Sequence, residues 1–360
     1  MTLGASDADS VSVGVEEPVV LDSLDMFGVA RAMPEQLSRA RDAAMAVSGL
    51  PSAEGITSVA IFGMGGSGIG GDVCAAIAGP SCPVPIMVSK HYECPGFVGP
   101  HTLVIAVSFS GNTEEAIAAV TAARDAGARI VIVAAGGELA RLAREWDVPL
   151  LEVDGSIPMP RAGIGAVTVP LLVVLEQMGL VAGLNAQIDA AISQLERRRK
   201  QLDRPRNAAE LLAERIGRTL PLVYGGGPLG EVAAWRWKGQ FNENPKVPSW
   251  SNRIPELTHN ELAGWAQHGD VTRQVFTLLF LRHDFEHPNV ARRFDFVATA
   301  CDEVVADIHT VQADGDGPFA QLMDLVMLGD FVTLHLAVQS GVDPGPIAVL
   351  DDLKHWLRST

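Results

Sequence analysis

Two glycine- and serine-rich loops, each placed behind a short apolar run, constrain this chain more than any other feature. The first is VAIFGMGGSGIGGD, Val59–Asp72; the second is SFSGNTEE, Ser108–Glu115. The runs before them, SVAIF and LVIAV, have the length and apolar content of buried strands, and the segments after them are helical in character. Each unit is strand–loop–helix, and such units combine into a parallel sheet covered by helices on both faces. A helix N-terminus offers free N–H groups and a positive dipole end, and glycine lets the backbone close on an anion. The hydroxyls of Ser67, Ser108, Ser110 and Thr113 extend that set of groups. Converging on one point, the two loops would hold a phosphate without lysine or metal, so the pattern points to a pocket for a small phosphorylated molecule.

Gly63, Gly65 and Gly68 also satisfy G-x-G-x-x-G, the dinucleotide-binding fingerprint. That fingerprint wants an acidic residue at the tip of the next strand for the ribose hydroxyl. The next strand, read as Val84–Val88, ends instead in Ser89, Lys90 and His91. Two alternatives stay open: a nicotinamide cofactor whose phosphorylated ribose faces Lys90, and a turn needed only for helix–strand packing.

With 360 residues, 48% hydrophobic and 19% charged, the chain can bury two cores of ordinary size. A net charge of −16 argues against nucleic acid, whose phosphates need a basic surface. It also makes each cation near the loops a candidate ligand for an anion. Cys74, Cys82, Cys94 and Cys301 have no metal-ligand spacing, so reduced thiols, a cytoplasmic location and no structural metal are expected. Residues 1–20 are acidic, lack a signal-peptide pattern, and read as a disordered tail. Val167–Leu184 is interrupted by Pro170, Glu176 and Gln177 and reads as a buried helix, not a membrane span.

The pattern predicts a helix over Leu24–Ser48, then alternating strands and helices to Val153, and a long helix near Gly163–Met178. Residues 21–184 form the first domain in this reading, and 185–218 a charge-rich helical connector whose basic run is a solvated face. Residues 219–360 start over: a strand at Leu220–Tyr224, the loop GGGPLG, a helix, and later strands at Val275–Leu281 and Glu303–Ala306. The second loop has lost the serines and gained Pro228 and Leu229, so one phosphate-equipped domain of two is expected.

The segment Trp235–Trp265 concentrates Glu243, Lys246, Arg253, Glu256, His259 and Glu261 among prolines, tryptophans and asparagines. Long irregular segments in compact domains are usually functional, and the chemistry is expected within 238–261. Glu243, between Asn242 and Asn244, suits a general base; a solvated helix-end carboxylate is the alternative. His259 by itself reads rather as a satisfied structural histidine.

In order along the chain, GMGGSGIGGD, SFSGNTEE, PRAGIGAV, FNENPKVPSWSNRIPELTHNE and GVDPGPIAVLDDLKHWL resemble the bifunctional phosphoglucose/phosphomannose isomerases, which carry two sugar-isomerase (SIS) domains. The likeness runs from about Leu21 onward. It implies an α/β fold of two SIS domains, no cofactor, hexose 6-phosphate substrates, and a homodimer with shared active sites. It also implies residue roles. Gly66, Ser67, Ser108, Ser110 and Thr113 match phosphate-binding positions, and Arg161 matches the arginine that steadies the anionic intermediate. Glu243 matches the base moving a proton between C1 and C2. His259, from the neighbouring subunit, matches the ring-opening histidine, and Lys354 the lysine near the ring oxygen. The family's C-terminal threonine, linked to rotation about C2–C3, has no counterpart in Asp343–Lys354, where Gly345 and Ile347 stand. That departure favours glucose 6-phosphate over mannose 6-phosphate. A non-catalytic phosphosugar sensor is the competing reading.

Overall fold

The structure, a computed structural model, describes residues 21–359 apart from the side chains of Lys354 and Arg358; the tail expected over 1–20 lies outside them. The first half contains α1 (Met26–Arg31), α2 (Met33–Met45), β1 (Ser58–Phe62), α3 (Gly65–Ala78), β2 (Ile86–Ser89), β3 (Thr102–Ser108), α4 (Glu114–Asp125), β4 (Arg129–Ala134), α5 (Gly137–Trp146) and β5 (Leu150–Glu152). A 3-10 turn, Pro160–Gly163, leads into α6 (Ile164–Gln177), followed by α7 (Leu184–Leu202) and α8 (Ala208–Ile216). The second half holds β6 (Leu220–Gly226), α9 (Gly227–Glu243), β7 (Trp250–Ile254), a 3-10 turn (Glu256–His259), α10 (Glu261–Gly264), α11 (Gly269–Val275), β8 (Phe276–Arg282), α12 (Pro288–Cys301), β9 (Asp307–Gln312), α13 (Pro318–Gln339) and α14 (Ala348–Ser359).

Two wholly parallel sheets result, ordered β2-β1-β3-β4-β5 and β7-β6-β8-β9. In each, the glycine-loop strand (β1 or β6) lies inside the sheet beside the strand carrying the other loop (β3 or β8). The chain winds outward from there in both directions, the switch point at which open α/β sheets bind ligands. β1 and β3 are buried along their whole length, as strands covered on both faces must be.

One continuous core joins the sheets. Ile61, Val107, Val223 and Leu279 face it from the strands, and Val167, Leu195 and Val326 fill it from α6, α7 and α13. The outer faces have separate cores, Phe62 with Leu139 on one side and Phe280 with Phe294 on the other. α13 is long and apolar enough to cross a membrane, but 89% of its apolar window is buried inside the protein.

Several expectations are corrected. The helix expected over Leu24–Ser48, with Asp22 or Ser23 as its cap, breaks at Ala32 into α1 and α2, and the cap of α1 is Asp25, whose carboxylate accepts from the Gly28 N–H. Asp22 still accepts from Met26 and Phe27 one turn earlier. Residues 185–218 are packed helices: Ile188, Ala191 and Leu195 of α7 are fully buried. The basic run there is not wholly solvated, because Arg198 pairs with the buried Asp324 of α13 at 2.6 Å. Glu303–Ala306 is a turn, and the strand is β9, an edge whose alternating burial follows its mixed polar sequence. The stretch Trp235–Trp265 is less irregular than its composition suggested, since α9 runs to Glu243 and β7 pairs with β6.

Candidate active site

A cavity of about 490 Å³ opens where the N-terminus of α3 meets the C-terminal half of α9. Gly65 and Gly66 line it from the first glycine loop, Arg161 from the 3-10 turn before α6, and Glu243 from the end of α9. Gly66 is needed there: a Cβ would stand 3.0 Å from the Pro160 carbonyl oxygen, so any side chain would push Arg161's turn away. The two halves of the molecule therefore each supply one wall.

Arg161 is only 2% exposed. Its Nε donates to Asn244 Oδ1 at 2.9 Å, and its Nη2 to the carbonyl oxygens of Pro344 and Gly345, the latter at 2.8 Å. Nη1 has no hydrogen-bond partner and lies 3.6 Å from Glu243 Oε2. Burial pushes the guanidinium down from its usual range, and the Glu243 carboxylate pulls it back. Arginine stays charged in any protein setting, so the result is a fixed cation with one donor unspent. The Glu243 side chain is about one-third exposed, at 34%, and so reaches both the cation and the cavity.

The supporting groups come from distant parts of the chain. Asn244 is buried and donates from Nδ2 to Thr333 Oγ1 at 2.9 Å, which turns its Oδ1 toward Arg161. Lys246 donates to the carbonyl oxygens of Asn244 and Asp343, at 3.1 and 2.6 Å, and fastens the turn that holds Arg161 Nη2. Burial and the neighbouring Arg161 both push the Lys246 ammonium below its usual range. In the cavity wall itself, Arg236 holds both oxygens of Asp330 at 2.8 Å, and Gln240 adds a bond to Asp330 Oδ1. Arg236, Gln240 and Glu243 stand at i, i+4 and i+7 and so share one face of α9.

The loop hydroxyls are engaged within and between the two loops. Ser67 Oγ accepts from the Phe109 N–H at 3.0 Å, tying the first loop to the second. Ser108 Oγ is 2.7 Å from Thr113 Oγ1 and also accepts from Gly111 N–H. Ser110 is exposed and accepts from Asn112 N–H at 3.2 Å. The structure thus brings Gly66, Arg161 and Glu243 to one cavity and sets the four hydroxyl residues at its flank, outside the lining. His259 is exposed on the turn after β7 and does not line the cavity of its own chain. Lys354 falls on α14, and its side chain lies outside the described residues.

Residue reading missed several groups. Lys90 was weighed only against a ribose phosphate; it pairs with Asp72 and lies 4.7 Å over the Trp235 ring, bridging the two cavity walls. Burial pushes the Asp72 carboxyl up, and the Lys90 ammonium works against that. Trp235 and Trp250 present exposed indoles to the cavity. The Arg236–Gln240–Glu243 spacing was a signal in the sequence, whereas Asn244 facing Arg161 across 83 positions was not.

The family pattern described as the bacterial phospho-glucose isomerase C-terminal SIS domain matches residues 205–357. A bifunctional phosphoglucose/phosphomannose isomerase of Caldicellulosiruptor bescii is 33% identical over 336 residues, 92% of this chain and 98% of that one. Another, of Thermoplasma acidophilum, is 31% identical over 300 residues, 83% of this chain and 89% of that one. Among solved structures, a glucose-6-phosphate isomerase like protein from Thermus thermophilus superposes with a TM-score of 0.60 at 18% identity, covering 91% of this chain and 96% of that one. The C-terminal domain of glucosamine-fructose-6-phosphate aminotransferase from Francisella tularensis gives 0.66 at 14% identity, covering 88% and 96%. At such identities these two share the fold alone.

Proposed function

The chain belongs to the bifunctional phosphoglucose/phosphomannose isomerases, and from that premise we propose that it interconverts glucose 6-phosphate and mannose 6-phosphate with fructose 6-phosphate through a cis-enediolate. The observation that carries this reading is the buried Arg161 with its unspent Nη1 donor 3.6 Å from Glu243, in a cavity edged by Gly66.

The substrate dianion binds at the α3 N-terminus, against the Gly66 amide and the hydroxyls of Ser67, Ser108, Ser110 and Thr113. Holding that end fixes the reacting carbons near Glu243. Glu243 takes the C2 proton of the open-chain aldose and returns it to C1 while the hydroxyl proton passes from O2 to O1, giving the ketose. The enediolate between these steps carries negative charge that the neutral carbonyl lacks, so Arg161 stabilises it selectively. A planar enediolate can be reprotonated on either face once the chain rotates about C2–C3, which gives both aldose epimers. Glucose 6-phosphate is the preferred one, because the segment expected to give room for rotation is committed to holding Arg161 through Gly345. The indoles of Trp235 and Trp250 offer broad flat surfaces to the sugar.

His259 and Lys354 serve ring opening. With His259 exposed and away from its own cavity, it reaches the cavity of a second copy in a homodimer. The four cysteines are free, which suits the cytoplasm. The Glu243 carboxylate and Arg161 suffice chemically, so activity is expected to survive a chelator. A coupled assay with each hexose phosphate, run on the native protein and on Glu243→Gln, tests the reading. Undiminished turnover in the variant would end it. A phosphosugar sensor has no need of a base facing a buried cation.

A further inference from the structure

The two glycine loops repeat residue for residue. A Cβ on Gly68 would stand 2.8 Å from the Gly63 oxygen, and one on Gly230 would stand 2.9 Å from the Gly225 carbonyl carbon, the same close approach across five residues. Between these pairs, Gly65 and Gly227 both have positive φ, +52° and +62°. That register aligns Gly66 with Pro228 and Ser67 with Leu229. The exchange removes one N–H, since proline has none, and one hydroxyl.

The partner loops repeat as well. Ser108 ends β3 and Thr113 caps α4; Arg282 ends β8 and His287 caps α12, again five residues on. Asn112 therefore corresponds to Glu286. The Glu286 side chain is 4% exposed and lies between the two loops of its own half. A Cβ built on Gly226 would be 3.0 Å from its Oε1. Arg282 donates from Nε to both oxygens at 2.9 Å, the His283 N–H donates to Oε1 at 3.2 Å, and His283 Nε2 bonds the Gly226 carbonyl at 2.8 Å. The Arg282 guanidinium also rests 4.2 Å over the Phe294 ring.

We infer that the Glu286 carboxylate is an internal anion filling the second cradle, in the place where the first takes the phosphate of a phosphate monoester. The second half is thereby closed to ligand and serves as the rigid mount for Glu243. This rests on the reading of the first cradle as a phosphate site.

Calorimetric titration of the full chain with inorganic phosphate tests it. The native protein is expected to take one phosphate per chain, displaced by fructose 6-phosphate. Glu286→Asn, which copies the residue of the first loop, is expected to take two with isomerase turnover unchanged, and the second is lost again when Arg282→Met is added. Glu286→Gln, which keeps the bulk and removes the charge, serves if the shorter side chain prevents folding. Two phosphates on the native chain, or no phosphate gained over the native chain by a folded Glu286 variant, would overturn the inference. No phosphate on the native chain but one on Glu286→Asn, abolished by Arg282→Met, would refute the first cradle and leave this one standing.

Discussion

Arg161 Nη1 lies 3.6 Å from Glu243 Oε2, too far for a hydrogen bond, although every other nitrogen of that guanidinium is engaged. A buried donor left unpaired costs about 1–3 kcal/mol. In the proposed reaction, an oxyanion formed beside Glu243 would remove that cost at the moment it is needed, as a preorganised site does.

Glu243→Gln keeps the shape of the side chain and removes the base. Turnover should fall by roughly 10²–10⁴-fold or more. Loss of C2 deuterium exchange in D₂O, followed by proton NMR, is the direct reading. Binding of fructose 6-phosphate should persist, and ligand-induced thermal stabilisation would register it.

Arg161→Met should act on kcat more than on KM, by about 10²–10³-fold, if the cation acts on the intermediate as proposed. Asn244→Ala should give a milder version with a fall in stability of about 1–3 kcal/mol, since Arg161 Nε then loses its acceptor. Steady-state kinetics and denaturant unfolding separate the two.

Asp330→Ala should destabilise by about 3–5 kcal/mol, because Arg236 would be left as a buried, uncompensated charge. Replacing both Arg236 and Asp330 by methionine should recover most of that loss. Equal instability of the single and double variants would show that the pair contributes through packing and not charge.

Mixing inactive Glu243→Gln with inactive His259→Ala should restore activity if each site draws its histidine from the other copy. Random exchange in a symmetric dimer gives about a quarter of native turnover, since half the dimers carry one intact site of two. No recovery on subunit exchange would place His259 elsewhere.

Burial works to raise the Asp343 carboxyl, but hydrogen bonds from Ser23 and Gly345 and the charge of Lys246 leave it below its ordinary value. A folded-state value below the unfolded one means that its stabilising effect is present above the unfolded pKa, about 4, and is lost as pH falls through the folded value. Asp343→Asn should therefore lower Tm at neutral pH and flatten the acid limb of the Tm–pH curve. The Gly345 carbonyl that holds Arg161 sits in the same turn, so kcat should follow Tm in the acid range.

Much of this was legible in the residues. β1, β3 and their loops carry their own signal, because buried parallel strands are continuous apolar runs and the glycines mark where backbone approaches backbone. β7 was not legible: WSNRI on a sheet edge lacks both the apolar run and the alternation of an interior strand. No local pattern says that Ser108 and Thr113 bond each other, or that Ser67 is spent on the Phe109 N–H. Arg236 with Asp330 and Arg161 with Asn244 are partners across 94 and 83 positions, and only the folded path of α9 against α13 and against the 3-10 turn before α6 brings them together.

α9 begins at the closed glycine loop and ends at Glu243, a single span of 17 residues. On the proposed mechanism the base is consequently referred to one half of the molecule and substrate anchorage to the other, like an anvil and hammer clamped in separate jaws. Substitutions far from the cavity, among the side chains of α7 and α13 that lock the jaws, should thus register as altered turnover before any loss of fold becomes measurable.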